Sequence, residues 1–318
     1  MAKFSLDMSA LTNVGKVREK NEDAVLISKD LELLAVADGM GGHNAGEVAS
    51  SMSIETLHSV LKDIDNGSVE VPTDLDQNLS ELERKLLFAT NIANLAVFKS
   101  SKVNLNKRGM GTTLSTMLVE DNHAAATHVG DSRIYLYRND EFAQITTDHC
   151  LATEHVEFGL LKTNYDLSSS RMQNILTRAL GLKKDIEIDI FRMFPEEGDL
   201  FLLCSDGLNK ELKDDELKVL IKDNIDKTAT EICQIIMDMA LSREAMDNIS
   251  IIIMKINKPE KFSISRLFGF KRKSKPIKKL PHNKSLLLRS PRVEALDRRA
   301  VAISYSTKVL LWENRGIS

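Results

Sequence analysis

Four β-type segments crowd the middle of this sequence with almost no chain between them, and that spacing decides the fold class. Thr112–Val119, Ala124–Val129, Arg133–Arg138 and Phe142–Thr146 are apolar or alternating and carry many β-branched and aromatic residues. Their connections are short turns: Glu120-Asp121-Asn122, Gly130-Asp131-Ser132 and Asn139-Asp140. A parallel crossover needs about a dozen residues or more, so successive strands here must run antiparallel. Further strands are expected at Glu32–Ala37, Ile186–Phe191, Leu200–Ser205 and Asn248–Ile256. Apolar residues at helical spacing mark Gly46–Ile64, Leu79–Ser101, Asp214–Asp223 and Lys227–Ser242 as helices, and Asn174–Leu180 as a short one closed by Gly181. Asp65–Asp76 reads as a polar connection and Cys150–Ser170 as an irregular surface flap. Helices grouped around antiparallel strands make an α+β sandwich in one domain, residues 1–256.

Charge separates that body from the last 62 residues of the chain. The whole chain of 318 residues has a net charge of −3, yet residues 257–318 hold 16 Lys/Arg against 4 Asp/Glu and residues 1–256 carry −15. An acidic body with a basic tail is two units. Lys258-Pro259 marks the boundary, and the tail shows no long helical or strand period. Three scattered cysteines without C-x-x-C spacing exclude a disulfide scaffold and a thiolate zinc site, and fit a reducing compartment. No apolar run approaches the roughly 18 residues of a membrane span, and the first residues lack a basic-then-apolar leader pattern, so a cytoplasmic location is expected.

The chemistry-bearing residues are aspartates. Asp23, Asp38, Asp131, Asp206 and Asp247 each sit where a strand gives way to small or turn-forming residues. A carboxylate at the end of a buried strand is unfavourable unless paired, hydrogen-bonded or bound to a cation. Several of them on one sandwich edge would make an all-oxygen site, which suits Mg²⁺ or Mn²⁺ better than Zn²⁺. The competing reading is plain turn chemistry, since Asp-Gly and Asp-Asn are turn formers. Asp38-Gly39-Met40-Gly41-Gly42 fits neither common nucleotide-loop pattern.

Eight motifs occur in order: RxxNEDA (Arg18–Ala24), DGMGGHNAGEVAS (Asp38–Ser50), GTT (Gly111–Thr113), VGDSRIY (Val129–Tyr135), TTDH (Thr146–His149), LTRALG (Leu176–Gly181), CSDGL (Cys204–Leu208) and DNIS (Asp247–Ser250). Together, over about residues 8–256, they resemble the metal-dependent Ser/Thr protein phosphatases called PP2C or PPM, in their compact bacterial form. The resemblance implies two antiparallel β-sheets in a sandwich flanked by helices on both sides. It implies two Mn²⁺ or Mg²⁺ ions with a weaker third, Asp38 bridging the two and the Gly39 carbonyl ligating one. Asp206 and Asp247 would hold the first ion, Asp23 would stand in the shell of both, and Asp131 would serve the third. Arg18 would grip the substrate phosphate. The implied reaction is in-line attack on phosphoserine or phosphothreonine proteins by a hydroxide shared between the ions, without a phospho-enzyme, opposing a bacterial Ser/Thr kinase.

Some positions depart from the family pattern. Met40 stands where many eukaryotic members carry a proton-donating histidine, and His43 is read as a local hydrogen-bonding residue. Asp148 and His149 are read as loop-fixing, and Cys150 has no base to make it a nucleophile. The flap departs most, which leaves substrate preference open. For the basic tail the expectations are a flexible extension, an anionic membrane surface, an acidic partner or docking on the acidic body itself; the acidic body opposes nucleic acid. A monomer is expected. The rival to catalysis is a sensor or binding module that keeps the fold without turnover.

Overall fold

The central strands of both sheets are buried on both faces, because each sheet is covered twice. The computed structural model describes residues 4–41, 45–72, 78–103, 107–157, 172 and 175–258, and the backbone of 309–311. The elements run in the order β1 (Ser5–Asn13), β2 (Asp23–Ser28), β3 (Leu33–Met40), α1 (Ala45–Asp65), α2 (Glu81–Val103), β4 (Gly111–Thr112), β5 (Leu114–Glu120), β6 (His123–Val129), β7 (Arg133–Arg138), β8 (Glu141–Gln144), α3 (Leu151–Glu157), β9 (Asp189–Met193), β10 (Leu200–Cys204), α4 (Asp206–Glu211), α5 (Asp214–Asp223), α6 (Ala229–Ser242), β11 (Ile249–Asn257) and β12 (Val309–Leu311). One sheet has the order β1-β11-β10-β7-β8, the other β12-β9-β6-β5-β3-β2, with β4 paired to the end of β3.

The two-residue period of the strands sorts their side chains into three layers. Leu33, Ala35 and Ala37 of β3 meet Leu57, Leu86 and Leu87 of α1 and α2 on one outer face. Leu34 and Val36 point the other way and meet Phe201, Leu203, Ile252 and Met254 between the sheets. Leu200, Leu202, Ile251 and Ile253 cover the second outer face with Ile232 and Ile236 of α6. This is the expected α+β sandwich of antiparallel sheets with helices on both sides. The expected turns hold: Asn139 and Asp140 adopt φ of 52° and 64°, the left-handed pair that a two-residue hairpin requires. Helices α2 and α6 begin at reciprocal caps, Ser80 with Glu83 and Thr228 with Glu231.

Two expectations are corrected, the short helix before Gly181 and the wholly irregular flap. The short helix at Asn174–Leu180 is absent from residues 175–180, which run irregularly with two isolated bridges: Leu176 to Cys150 and Leu180 to Thr112. Backbone bonds from Thr177 N–H to His149 O (2.9 Å) and from Leu180 N–H to Thr112 O (2.9 Å) outweigh the helical spacing. The start of the flap is ordered as α3; residues 158–171 and 173–174 lie outside the described residues, as does His43. The turn-forming Asp206-Gly207 opens a helix, α4. The tail contributes β12, which pairs with β9 in the one parallel contact among the described strands, Val309 opposite Ile190. The rest of the tail lies outside the described residues. Strand β1, unassigned from sequence, alternates Leu6, Met8 and Ala10 with Ser5, Asp7 and Ser9 and is only half-buried at the sheet edge.

Phe201 is fully buried in the layer between the sheets. Phe201→Ala should lower unfolding free energy by about 3–5 kcal/mol, read by urea denaturation. A loss below ~1 kcal/mol would show that this layer does not carry the sandwich.

Candidate metal centre

Antiparallel neighbours bring the end of one strand beside the start of the next, so residues far apart in sequence meet at one sandwich edge. Asp23 opens β2 and Asp38 lies near the end of β3, and the two are direct cross-strand partners. Asp131 sits in the turn between β6 and β7, Asp206 follows β10, and Asp247 precedes β11. Asp38 is half-buried, and desolvation of its carboxyl raises it well above the usual range, helped by Asp23, Asp206, Asp131 and Asp247. All five aspartates named from the sequence therefore meet in one cluster.

Backbone clamps hold them there. Asp38 donates its N–H to Thr113 Oγ1 (2.8 Å), and its carbonyl accepts from Thr113 N–H (2.9 Å) and Thr112 Oγ1 (2.9 Å). The same Thr113 hydroxyl reaches Ser132 Oγ at 2.7 Å, fastening the Asp131 turn to β3. Ser205 Oγ donates to Asp23 Oδ2 (2.7 Å) and accepts from Ser250 N–H (3.0 Å). Asn248 uses its whole amide: it donates to the carbonyls of Val14 and Lys20 (2.9 Å each) and accepts from Glu22 N–H (2.8 Å). This pins both ends of the loop that carries Arg18. Gly207 is required because a Cβ there would lie 1.9 Å from the Asn248 carbonyl.

The Thr146–His149 segment braces the Asp131 turn from behind. Gly130 donates its N–H to His149 Nδ1 (3.1 Å), and His149 N–H returns a bond to Gly130 O (2.7 Å). An accepting Nδ1 puts the ring proton on Nε2, which faces Asp189 Oδ2 at 3.3 Å. Asp148 takes a two-pronged bond from Arg133 (Nε to Oδ1 2.9 Å, Nη2 to Oδ2 2.7 Å). Met40 packs its methyl against Gly111. Cys150, Cys204 and Cys233 are all free and buried.

The electrostatics are uneven. Burial pushes Asp23 up to about 6, with Ser205 and Ser250 opposing and Asp206 and Asp247 adding to it. Burial, then Asp206 and Asp148, push Asp131 up to about 7. Burial also acts on Asp247, but hydrogen bonding and charge from Lys210, and the charge of Arg18, outweigh it and hold Asp247 below its ordinary value. Arg18 Nη2 lies 2.9 Å from Asp247 Oδ1. Lys210 Nζ lies 2.5 Å from Asp206 Oδ2 and 2.8 Å from Asp247 Oδ2.

Two observations fit this cluster to hard cations. Asp23 Oδ1 and Asp206 Oδ1 are buried carboxylate oxygens without a hydrogen-bond partner. Glu22 supplies the second: a Cβ on Gly46 would lie 2.6 Å from Glu22 Oε1 and 2.8 Å from the Gly39 carbonyl, so a carboxylate and a carbonyl converge on a glycine-made cradle. Glu22 is a site residue absent from the sequence-based set, though it stands beside Asp23 at the same strand start. Among the described residues, no group of three His, Cys, Asp or Glu side chains is already arranged around one ion; the Lys210 amine bridges Asp206 and Asp247 instead.

The family model for protein phosphatase 2C matches residues 16–243. The chain belongs to that family. The serine/threonine phosphatase Stp of Listeria innocua is 33% identical over 255 residues, covering 79% of this chain and 96% of the relative. The protein phosphatase PhpP of Streptococcus pneumoniae is 32% identical over 261 residues, covering 80% and 99%. Among solved structures, the catalytic domain of the serine/threonine protein phosphatase PstP, in complex with two manganese ions, superposes with a TM-score of 0.67 at 30% identity, covering 80% of this chain and all of that one. As a protein phosphatase of this family, the chain gathers its five aspartates at one sandwich edge, with two outer cores and the layer between the sheets behind them.

His128 lies behind the Asp131 turn, 2.9 Å from Ser115 Oγ, and burial followed by the neighbouring His149 lowers it to about 3 from an ordinary 6.5. A depressed histidine contributes stability that is complete above pH 6.5 and is lost as the pH falls toward 3. Between pH 7.5 and pH 5 that loss should be ~2 kcal/mol. Urea unfolding at both pH values should show a correspondingly flatter pH dependence in His128→Asn; equal slopes would show that His128 is not held neutral.

Proposed function

We propose that this chain hydrolyses phosphoserine and phosphothreonine in proteins at the aspartate cluster, with Mn²⁺ or Mg²⁺ as cofactor. The observation that carries the reading is the pair of buried, unpartnered carboxylate oxygens on Asp23 and Asp206 within a cluster of five aspartates. The two manganese ions of the PstP relative and the phosphatase activities of the Listeria and Streptococcus relatives support it. Such ions supply charge neutralisation and lower the pKa of water, which phosphate-ester hydrolysis needs most.

The chain's own groups divide the remaining work. Asp206 and Asp247 would hold one ion, Glu22 and the Gly39 carbonyl would serve another, Asp38 and Asp23 would contribute carboxylates to both, and Asp131 would serve a weaker third. Arg18 is half-exposed at the rim, where its planar fork can exchange Asp247 for two phosphate oxygens. Met40 cannot donate a proton, so no described side chain at that position protonates the leaving alkoxide.

The same reading has the enzyme opposing a bacterial Ser/Thr kinase in the cytoplasm, as a monomer, which the three free cysteines suit. The tail from residue 257, with 16 Lys/Arg against 4 Asp/Glu, is proposed to rest on an anionic membrane surface.

Hydrolysis of a phosphothreonine peptide should require Mn²⁺, vanish with EDTA and fall to background in Asp38→Asn. Arg18→Lys should raise KM roughly ten-fold with a smaller change in kcat. Metal binding without turnover in the wild type would make the protein a sensor of the same fold. The full chain should co-sediment with phosphatidylserine vesicles and a chain ending at residue 256 should not; equal sedimentation would remove the membrane role.

A further inference from the structure

Among the described residues, Lys210 is the cation whose amine touches two of the clustered aspartates. Its Nζ bridges Asp206 Oδ2 and Asp247 Oδ2 at 2.5 and 2.8 Å, and its charge also reaches Asp131. Helix geometry keeps it there: Lys210 lies four residues after Asp206 on α4, so the two side chains share one face whatever else enters the site. Gly207 packs against the Asn248 carbonyl, which fixes α4 against the Asp247 segment as well. The ammonium satisfies the same two carboxylates that a divalent ion would take.

We propose that Lys210 is a tethered counter-cation: in the metal-free protein it holds Asp206 and Asp247 together against their mutual repulsion, and it raises the Mn²⁺ concentration at which the site loads. This rests on the assignment of Asp206 and Asp247 to the metal. An ion arriving at this pair must displace the ammonium, so the intrinsic affinity of the carboxylates is offset by the pairs that are broken. The same pairs support the fold when no ion is bound, because two carboxylates on adjacent segments would otherwise face each other without compensation. Lys210 acts through the aspartates and is a positioning residue.

The test is calorimetric titration of Mn²⁺ into the chelator-stripped full chain, with thermal melting of the same stripped protein. Lys210→Met keeps the length of the side chain and removes its charge. It should bind the first Mn²⁺ tighter by about three- to ten-fold, the range that two partly exposed ion pairs span, and its metal-free form should melt at a lower temperature. Lys210→Arg should restore wild-type behaviour in both. A residue that only supports the fold would weaken both the melting and the binding. Affinity in Lys210→Met that is equal to or weaker than wild type, or a metal-free form that melts as high, overturns the proposal. Asp206→Asn separates the two ideas: loss of Mn²⁺ binding there with unchanged affinity in Lys210→Met overturns the Lys210 proposal alone. A wild-type chain that binds no Mn²⁺ overturns the metal assignment and this proposal with it.

Discussion

Five half-buried carboxylates crowded at one edge of a sandwich are a liability that the rest of the structure exists to contain. Burial raises Asp38, Asp23 and Asp131 together, and their neighbours in the cluster make each harder to ionise. A fold can tolerate this only if the backbone beneath is held rigidly by something other than the carboxylates themselves. Here Thr112 and Thr113 take up both backbone groups of Asp38, Ser205 and Ser250 lock Asp23 to β11, and Asn248 ties the Arg18 loop down at both ends. The two outer cores and the layer between the sheets then supply the apolar burial that the polar edge cannot.

Legibility in the sequence depends on which forces are local. Turn chemistry is local, so the hairpins from Thr112 to Thr146 and their antiparallel sense could be read directly. Long amphipathic helices are nearly as local, and α1, α2, α5 and α6 fall within a few residues of expectation. The non-helical course of residues 175–180 was not legible, because it is set by bonds to His149 and Thr112, about 30 and 70 positions away in the chain. Helix α4 was hidden for the opposite reason: Asp206-Gly207 has turn chemistry, and only the close fit of Gly207 on Asn248 shows why the chain coils immediately after it.

The candidate site divides in the same way. The five aspartates stood out because strand-end carboxylates conflict with burial, a conflict visible in any sequence. Thr113, Ser205 and Asn248 raise no such conflict. Small polar residues are ordinary anywhere, and their importance lies in the partners the fold gives them. Glu22 was hidden for a subtler reason. Adjacent strand residues point to opposite faces, so placing Asp23 in the site argues against its neighbour; but Glu22 precedes β2, where that alternation has not begun, and its carboxylate turns toward Gly46.

Asp247 is where these parts meet. Its carboxyl is held below its ordinary value while those of Asp23, Asp38 and Asp131 are raised, and the reason is that it faces two cations of different freedom. Arg18 reaches it as an exposed side chain on a loop whose backbone is held at Val14, Lys16 and Lys20, so the guanidinium can leave for another anion without disturbing the backbone. Lys210 reaches it from a helix fixed by the contact between Gly207 and Asn248, so its amine can retreat only along its own flexible stem. A cation bound between Asp206 and Asp247 therefore competes with both at one carboxylate. Under the proposed function, Arg18 at the rim and Lys210 beside the ion would be linked through Asp247, without any movement of the sheets that carry it.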